Sequence, residues 1–394
     1  MNDDHRLTRS QEIALTVVAA VVTANAYYIH PIVSDVASYF RVSQAEIGLV
    51  PALNQLALAI GIFLLLPLGD RFSNKRLTII FVAGQTLSLL VMALAQDFAL
   101  FTAGSTVLGF FTIAPYLLPA YASKRVAPER LGQITALLTA GVILGILVAR
   151  VGAGIVTEMY GWRVVYWIAT GLMAAITLAL PFLMQERRTE PAAATPYHRL
   201  VLSLFPLMRQ HPEVLLSGAI QALNFGAFIA LWLGLALHLT SPEMGYGVDT
   251  VGYLAAIAAV SIASTPRLGR WADRIGARKA RLVFAVIQLG GLLLFYPLGG
   301  SLWLLLIPMF IGNLVGPAID VTSRMTYLTL EPALRTRLTT IYVVMMFIGG
   351  GIGSIAGTWV YDHYHWAGIC VLLGLTSAAA TLLTFIGWKR FGQS

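Results

Sequence analysis

The sequence predicts an all-α integral membrane protein of twelve transmembrane helices, arranged as two pseudo-symmetric six-helix bundles. Composition is the first observation behind that fold class. Of the 394 residues 58% are hydrophobic and only 11% charged, with a mean hydropathy of +0.77, more apolar surface than a water-soluble domain can carry. Length is the second. Apolar runs of roughly 20 residues, each able to cross a hydrocarbon core of about 30 Å as a helix, fall near 12–38, 45–68, 77–95, 98–122, 133–157, 162–184, 213–240, 249–268, 280–298, 301–328, 338–361 and 366–388. An internal repeat is the third.

The repeat is anchored on Leu66 to Arg76, a basic turn between two apolar runs, which returns as Gly269 to Lys279. Asp70 matches Asp273 at an offset of 203, and Ser73, Lys75 and Arg76 match Gly276, Arg278 and Lys279 at the same offset. Ile47-Gly48-Leu49 against Val251-Gly252-Tyr253, Pro128 against Pro332, and Tyr160-x-Trp162 against Tyr364-x-Trp366 all differ by 204. One charged turn proves little, but a register kept through several landmarks describes one bundle made twice. The expected units are residues 1–184, a linker at 185–212, and residues 213–394.

With the amino terminus on the cytoplasmic side, 22 of the 26 Lys and Arg residues fall on inner segments, the bias that orients membrane proteins. Both termini are then inside. Most of these cations read as anchors beside anionic lipid, so a net charge of +8 calls for no nucleic-acid partner. Met1 to Ser10 lead into the first span without a small-residue cleavage site, so no removable signal peptide is expected. Cys370 is the single cysteine, which excludes an internal disulfide and a cysteine-based metal site. No G-x-x-x-x-G-K-[ST] phosphate loop is present, and work would have to come from solute or ion gradients.

Taken in order, span one carries Asn25, Tyr27, Tyr28 and His30 at depth, followed by Pro31 and Asp35. Asn25, Tyr28 and Ile32 share one face, with His30, Tyr27 and Ser34 displaced from it. Polar groups in lipid are costly, so these face the bundle interior. For His30 an interhelical hydrogen bond and proton transfer are both open. Span two holds Asn54 and Gln55; span three has Gln85 as a packing contact. Span four shows Ser105, Gly109, Thr112 and Tyr116 on one stripe. In span five Gly141, Gly145 and Gly152 make a seam for close helix contact. Arg150 lies far around the helix from it, at 100° per residue. If the glycines pack on the other half, Arg150 points into its own bundle or a polar cavity, with Tyr28 or Asp35 as companions, and either binds solute, gates, or forms a structural pair. The amphipathic stretch Tyr197 to Arg209 of the linker suits the membrane surface.

Span seven repeats the chemistry of span one with Gln221, Asn224, Phe225, Phe228 and Trp232. Span ten offers Asn313, Pro317, Asp320 and Arg324 on one stripe. Asp320 is the clearest acid within a span and the candidate proton carrier, with an i, i+4 structural pair to Arg324 as the competing role. Span eleven has Gly349-Gly350-Gly351-x-Gly353, the counterpart of the span-five seam, with Ser354 in the place of Arg150.

The paired Asp-Arg turns, twelve spans and central linker resemble the major facilitator superfamily over nearly the whole chain. Tyr27-Tyr28-x-x-Pro31, Pro67-Leu68-Gly69-Asp70-Arg71 and Gly161-Trp162-Arg163 look like bacterial drug:proton antiporters, including the arabinose-efflux-permease-like group. The family's G-x-x-x-D-R-x-G-R-K turn maps onto Gly269, Asp273, Arg274, Gly276, Arg278 and Lys279. In the first half it maps onto Asp70, Arg71, Lys75 and Arg76, with Leu66 and Ser73 in place of glycines. The resemblance implies that these eight charged residues form a conformational gate that locks the halves when the cavity opens outward. Two motifs depart from the pattern. Ser105 stands where the family has an Arg linked to proton coupling, and in the helix-five antiporter signature Ile146 replaces the Pro while Ala149 and Arg150 replace the glycine pair.

The sequence therefore points to a secondary transporter of a small organic solute, working as a monomer in a bacterial inner membrane by alternating access. Efflux by proton antiport is the leading mode. The expected solute site is lined by Asn25, Tyr28, His30, Tyr116, Arg150, Asn224, Phe228, Trp232, Asn313 and Asp320. A proton-independent facilitator or importer of an organic anion or sugar-like solute is the rival on the same fold; a sensor or channel is the rival of another class. No cofactor is expected. No His/Asp/Glu cluster has catalytic spacing, and His363 and His365 stand alternately in an outer turn where they need not converge on a metal.

Overall fold

The computed structural model describes residues 7–123, 125–127, 130–185, 197–328 and 332–391. Every regular element among them is helical. Ten of these helices are long and apolar enough to cross a membrane. One of the ten, Arg337–Phe391 with 55 residues, turns back on itself at His365 (φ 50°, ψ −148°) and supplies spans eleven and twelve. Span one is interrupted, which brings the crossings to twelve.

That interruption corrects the expectation of a continuous first helix. Arg9–Ala24 and Val33–Phe40 are α-helical, but Asn25 to Ile32 wind more tightly, with Tyr27 N–H bonded to the Ala24 carbonyl at 2.9 Å and His30 N–H to that of Tyr27 at 3.3 Å. Pro31 lacks the N–H that a helix would use and collides with the preceding turn. Span four breaks likewise between Phe98–Phe111 and Ala114–Ser123. Span eight changes pitch over Ala256–Ala259, between Val248–Ala255 and Val260–Ile275. The remaining spans are Leu49–Leu65, Asn74–Leu94, Leu131–Tyr160, Trp162–Leu183, Pro212–Leu239, Ala277–Leu293 and Leu302–Leu328.

Within the first bundle span one packs on five, two on four, and three on six; within the second, seven packs on eleven and nine on ten. Contact between bundles runs through span two against eleven and span five against eight. Close approach is made by glycine. A methyl group on Gly145 would sit 2.1 Å from the Ala20 carbonyl oxygen, and one on Gly349 2.2 Å from that of Ala222. These two glycines, 204 apart, join span five to span one and span eleven to span seven.

The linker forms two short helices, Tyr197–Leu202 and Leu204–Gln210. Leu204 and Leu207 drop into an apolar cluster with Leu58, Ile62, Leu338 and Ile341, while Leu202 and Phe205 stay exposed, as an amphipathic surface helix requires.

Candidate functional site

Tight winding of residues 25–32 turns the His30 ring against Tyr27, edge-on at 5.2 Å. Arg150 reaches the same point from span five. Its side chain is 1% exposed, its Nη2 lies 2.9 Å from His30 Nδ1, and its guanidinium carbon stands 4.3 Å from the Trp232 ring, 4.7 Å from Phe228 and 5.3 Å from Tyr27. Trp232 and Phe228 belong to span seven of the other bundle. A desolvated cation over an aromatic face gains about 2 kcal/mol, so this box binds one bundle to the other. Arginine only donates, hence Nδ1 accepts and Nε2 carries the His30 hydrogen. Both His30 Nε2 and Arg150 Nε are buried without a partner. Among the described residues no carboxylate pairs with Arg150, and the expected companions Tyr28 and Asp35 are replaced by His30, Tyr27 and the two rings.

A second cluster gathers on span ten. Arg324 Nε donates to both Asp320 carboxylate oxygens at 3.0 and 3.1 Å, and Tyr342 Oη donates to Oδ1 at 2.6 Å. The Asp320 and Arg324 side chains keep 27% and 30% exposure. Tyr116 is close enough to interact electrostatically with Asp320, Arg324 and Tyr27, and its ring meets Phe347 at 6.3 Å. Tyr116 thus lies between the two clusters. Tyr28 is half-buried against the apolar residues around Arg150.

The three amides of the expected site are engaged elsewhere. Asn25 donates to Gln85 Oε1 at 3.1 Å, and Gln85 donates to Thr112 Oγ1 at 2.7 Å, tying span one to three and four. In the second bundle Gln288 Nε2 donates to Asn224 Oδ1 at 2.7 Å, and Asn224 reaches the Gly316 carbonyl at 3.4 Å. Gln85 and Gln288 are 203 apart and Thr112 and Gly316 are 204 apart, so one clamp is built twice. Asn25 and Asn224 are thus held by glutamines of their own bundles, while Asn25 Oδ1 and Gln288 Oε1 stay buried without a partner. Asn313 donates to its own helix at Met309, 2.8 Å away. The matching glutamines were visible at the repeat offset; a packing contact understates Gln85. Arg281 was also missed. One turn into span nine, it is 0% exposed, bonded at 2.8 Å to Ser217 Oγ, and is no lipid anchor.

At the end of the molecule away from both termini, two seams close the bundles together. A methyl group on Gly154 would meet the Val248 carbonyl oxygen at 2.7 Å and the Gly252 Cα at 3.0 Å. Across the molecule, one on Gly48 would overlap Thr358, and Ser354 Oγ donates to the Gly48 carbonyl at 2.8 Å. Gly48 and Gly252 occupy equivalent places in the repeat, as do Ser354 and Arg150. The expected Gly141-Gly145-Gly152 seam is corrected accordingly. Gly141 and Gly145 pack on Thr16 and Ala20 of their own bundle, Gly152 meets nothing within 4 Å, and the glycine that faces the other bundle is Gly154. It sits one turn beyond Arg150, on the same face.

Comparison with known proteins places this geometry in a family. The model of the Major Facilitator Superfamily matches residues 15–330. The chain belongs to the major facilitator superfamily. An uncharacterized transporter, YgaY of Escherichia coli O157:H7, is 27% identical over 388 residues, covering 98% of this chain and 97% of that one. The multidrug resistance protein MdtG of Salmonella choleraesuis is 23% identical over 330 residues, covering 78% and 77%. The crystal structure of the nucleoside transporter NupG superposes with a TM-score of 0.80 over 96% of this chain and 100% of that one, at 14% identity, which speaks for the fold alone.

Two loop-signature cations of this major facilitator bond within their own bundles. Lys75 Nζ donates to the Pro181 carbonyl at 2.7 Å, and Arg278 makes a two-pronged pair with Glu213 at 2.6 and 2.8 Å. Arg71 is half-buried, and Asp273, Arg274 and Lys279 are exposed. The Asp70 side chain lies outside the described residues.

Proposed function

We propose that this transporter exports a small organic solute from a bacterial cytoplasm in exchange for protons, the two bundles rocking about a pocket between spans one, four, seven and ten. The observation that carries the reading is the Arg150 box. Polar and aromatic side chains of both bundles meet there at membrane depth, beneath seams of small residues that can part without tearing side-chain packing. His30, Tyr28, Tyr116, Phe228, Trp232 and Asp320 are the residues assigned to the solute, and Arg150 to both solute and gate. Asp320 is assigned the proton. Half-buried and bonded to Arg324 and Tyr342, it gains a reason to release both when it takes one up. The two basic turns act as the gate of the opposite face, exchanging their contacts within a bundle for contacts across it. Both termini lie in the cytoplasm, the protein works as a monomer, and the resistance-protein relative favours export.

Proteoliposomes with an imposed pH gradient test this. Solutes from a panel should move against their gradient when protons flow the other way, and Asp320→Asn should abolish the uphill component. Saturable uptake that persists after the proton gradient is collapsed would replace this reading with a facilitator or importer of an organic anion, which the uncompensated Arg150 favours. Currents far above carrier turnover would indicate a channel.

A further inference from the structure

Closing the distal seams requires no cation. At the position equivalent to Arg150 the other seam has Ser354, whose hydroxyl bonds the Gly48 backbone and is fully satisfied. The Arg150 seam closes through backbone as well, with the Arg150 carbonyl itself 3.0 Å from where a Gly252 methyl would be. Neither seam therefore needs the guanidinium, and its contacts with the Phe228 and Trp232 rings, worth about 2 kcal/mol, return only part of the several kcal/mol that burying it without a counter-anion costs. A buried cation is retained against such a cost when an anion visits it.

We infer that the transported solute carries a carboxylate or similarly compact anionic group, which docks on Arg150 Nε, with His30 Nε2 a further donor to the solute, while an apolar or aromatic body lies against Phe228 and Trp232. This rests on the transporter reading above and names its substrate class. Two donors, both buried and both unpartnered, belong to one bundle; with Nδ1 turned to Arg150, Nε2 faces away across the ring, so each nitrogen offers the solute a hydrogen bond of its own. Neither donor is consumed by the Arg150–His30 contact, which uses Nη2 and Nδ1. The rings stand on the other bundle, so a solute with charged head and apolar body would touch both halves and could replace the cation–π contacts as they separate. A cationic solute would meet Arg150 with like charge and no acid to offset it.

Binding to the purified protein in nanodiscs tests this directly, with benzoate and phenylacetate as probes and benzamide and benzylamine as neutral and cationic counterparts. Tryptophan quenching and thermal stabilisation should report saturable binding of both carboxylates. The counterparts should bind about 10- to 100-fold more weakly, as loss of charge-assisted hydrogen bonds predicts. Arg150→Gln should erase the preference. Arg150→Lys, which keeps charge but lacks Nε, should lower carboxylate affinity while the protein still elutes as a folded monodisperse peak. Equal binding of benzamide or benzylamine, benzoate binding unchanged in either variant, or no binding of either carboxylate would overturn the inference. Proteoliposomes separate the two claims. Uphill transport of a neutral or cationic solute insensitive to Arg150 would sink the anion assignment and leave the transporter standing. Carboxylate binding with no transport of any solute would do the reverse.

Discussion

Gly154→Ala should unseat the distal seal. The added methyl would lie 2.7 Å from the Val248 carbonyl oxygen, and ordinary contact begins at 3.4 Å, so span eight must retreat by about 0.7 Å, the difference between the two. Both partners are backbone and cannot turn aside. Overpacking of this kind costs about 1–3 kcal/mol, and the cost falls only on the sealed conformation, because separated bundles leave the methyl in open space. The ratio of sealed to open molecules should therefore drop by about 5- to 150-fold. Val248, 3% exposed, is the reporter. With Cys370→Ala removing the native thiol, Val248→Cys should react with a membrane-impermeant maleimide faster by a similar factor once Gly154→Ala is added. Gly152→Ala is the control, since it makes the same helix-stabilising change two residues away where nothing lies within 4 Å. Labelling that is unchanged, slower, or equally accelerated by Gly152→Ala would refute the seam as the closure.

Gln85→Leu leaves Asn25 and Thr112 without their shared partner and should lower stability by about 1–2 kcal/mol, read as thermal unfolding in detergent; a shift within error would mean the clamp holds nothing. Gln288→Leu should act alike in the second bundle. His365 sits in a backbone region that only glycine enters freely, at the repeat position where Gly161 (φ 86°) serves the first bundle. His365→Gly should thus raise the melting temperature, worth about 1–3 kcal/mol; a decrease would show that the His365 ring matters more than its backbone. Asp320→Asn should abolish proton-driven accumulation yet leave solute exchange at equal concentrations intact, and loss of both activities would argue that the acid only holds Arg324 and Tyr342 in place.

Fold was legible because lipid imposes one requirement on every span and a duplicated gene keeps its landmarks in register. Asp70 with Asp273 and Gly48 with Gly252 were enough for that. Arg150 was legible as well, since a charge at depth needs a reason to be there. Its surroundings were not. Helical angles state which residues share a face, never which neighbour the face meets, so the span-five glycines were free to be assigned to either bundle. The same blindness hid the glutamines that hold Asn25 and Asn224: a polar residue in lipid must find a partner, but the stripe pattern does not say which helix supplies it. The break at Asn25 was masked by the apolar residues on both sides of it, although Pro31 marked its end.

The repeat is most informative where it fails. Two equivalent seams close the distal end, and both are sealed by small residues against backbone. At one the side chain beyond the contact is a serine with its hydrogen bond complete; at the other it is an arginine with a buried donor left over, beside a histidine in the same condition. Symmetry accounts for closure and cannot account for the difference. The seams close without the guanidinium, whose contacts with the Phe228 and Trp232 rings offset only part of a desolvation cost that the serine avoids, and the anionic solute proposed above supplies the rest. Of the charged residues within spans, Asp320 and Arg324 compensate each other in place. Arg281 also keeps two buried nitrogens without a partner, but its bonds run to Ser217 and Ser323 of its own bundle, whereas Arg150 stands where the two bundles meet, and for that reason we propose it as the residue that distinguishes the solute.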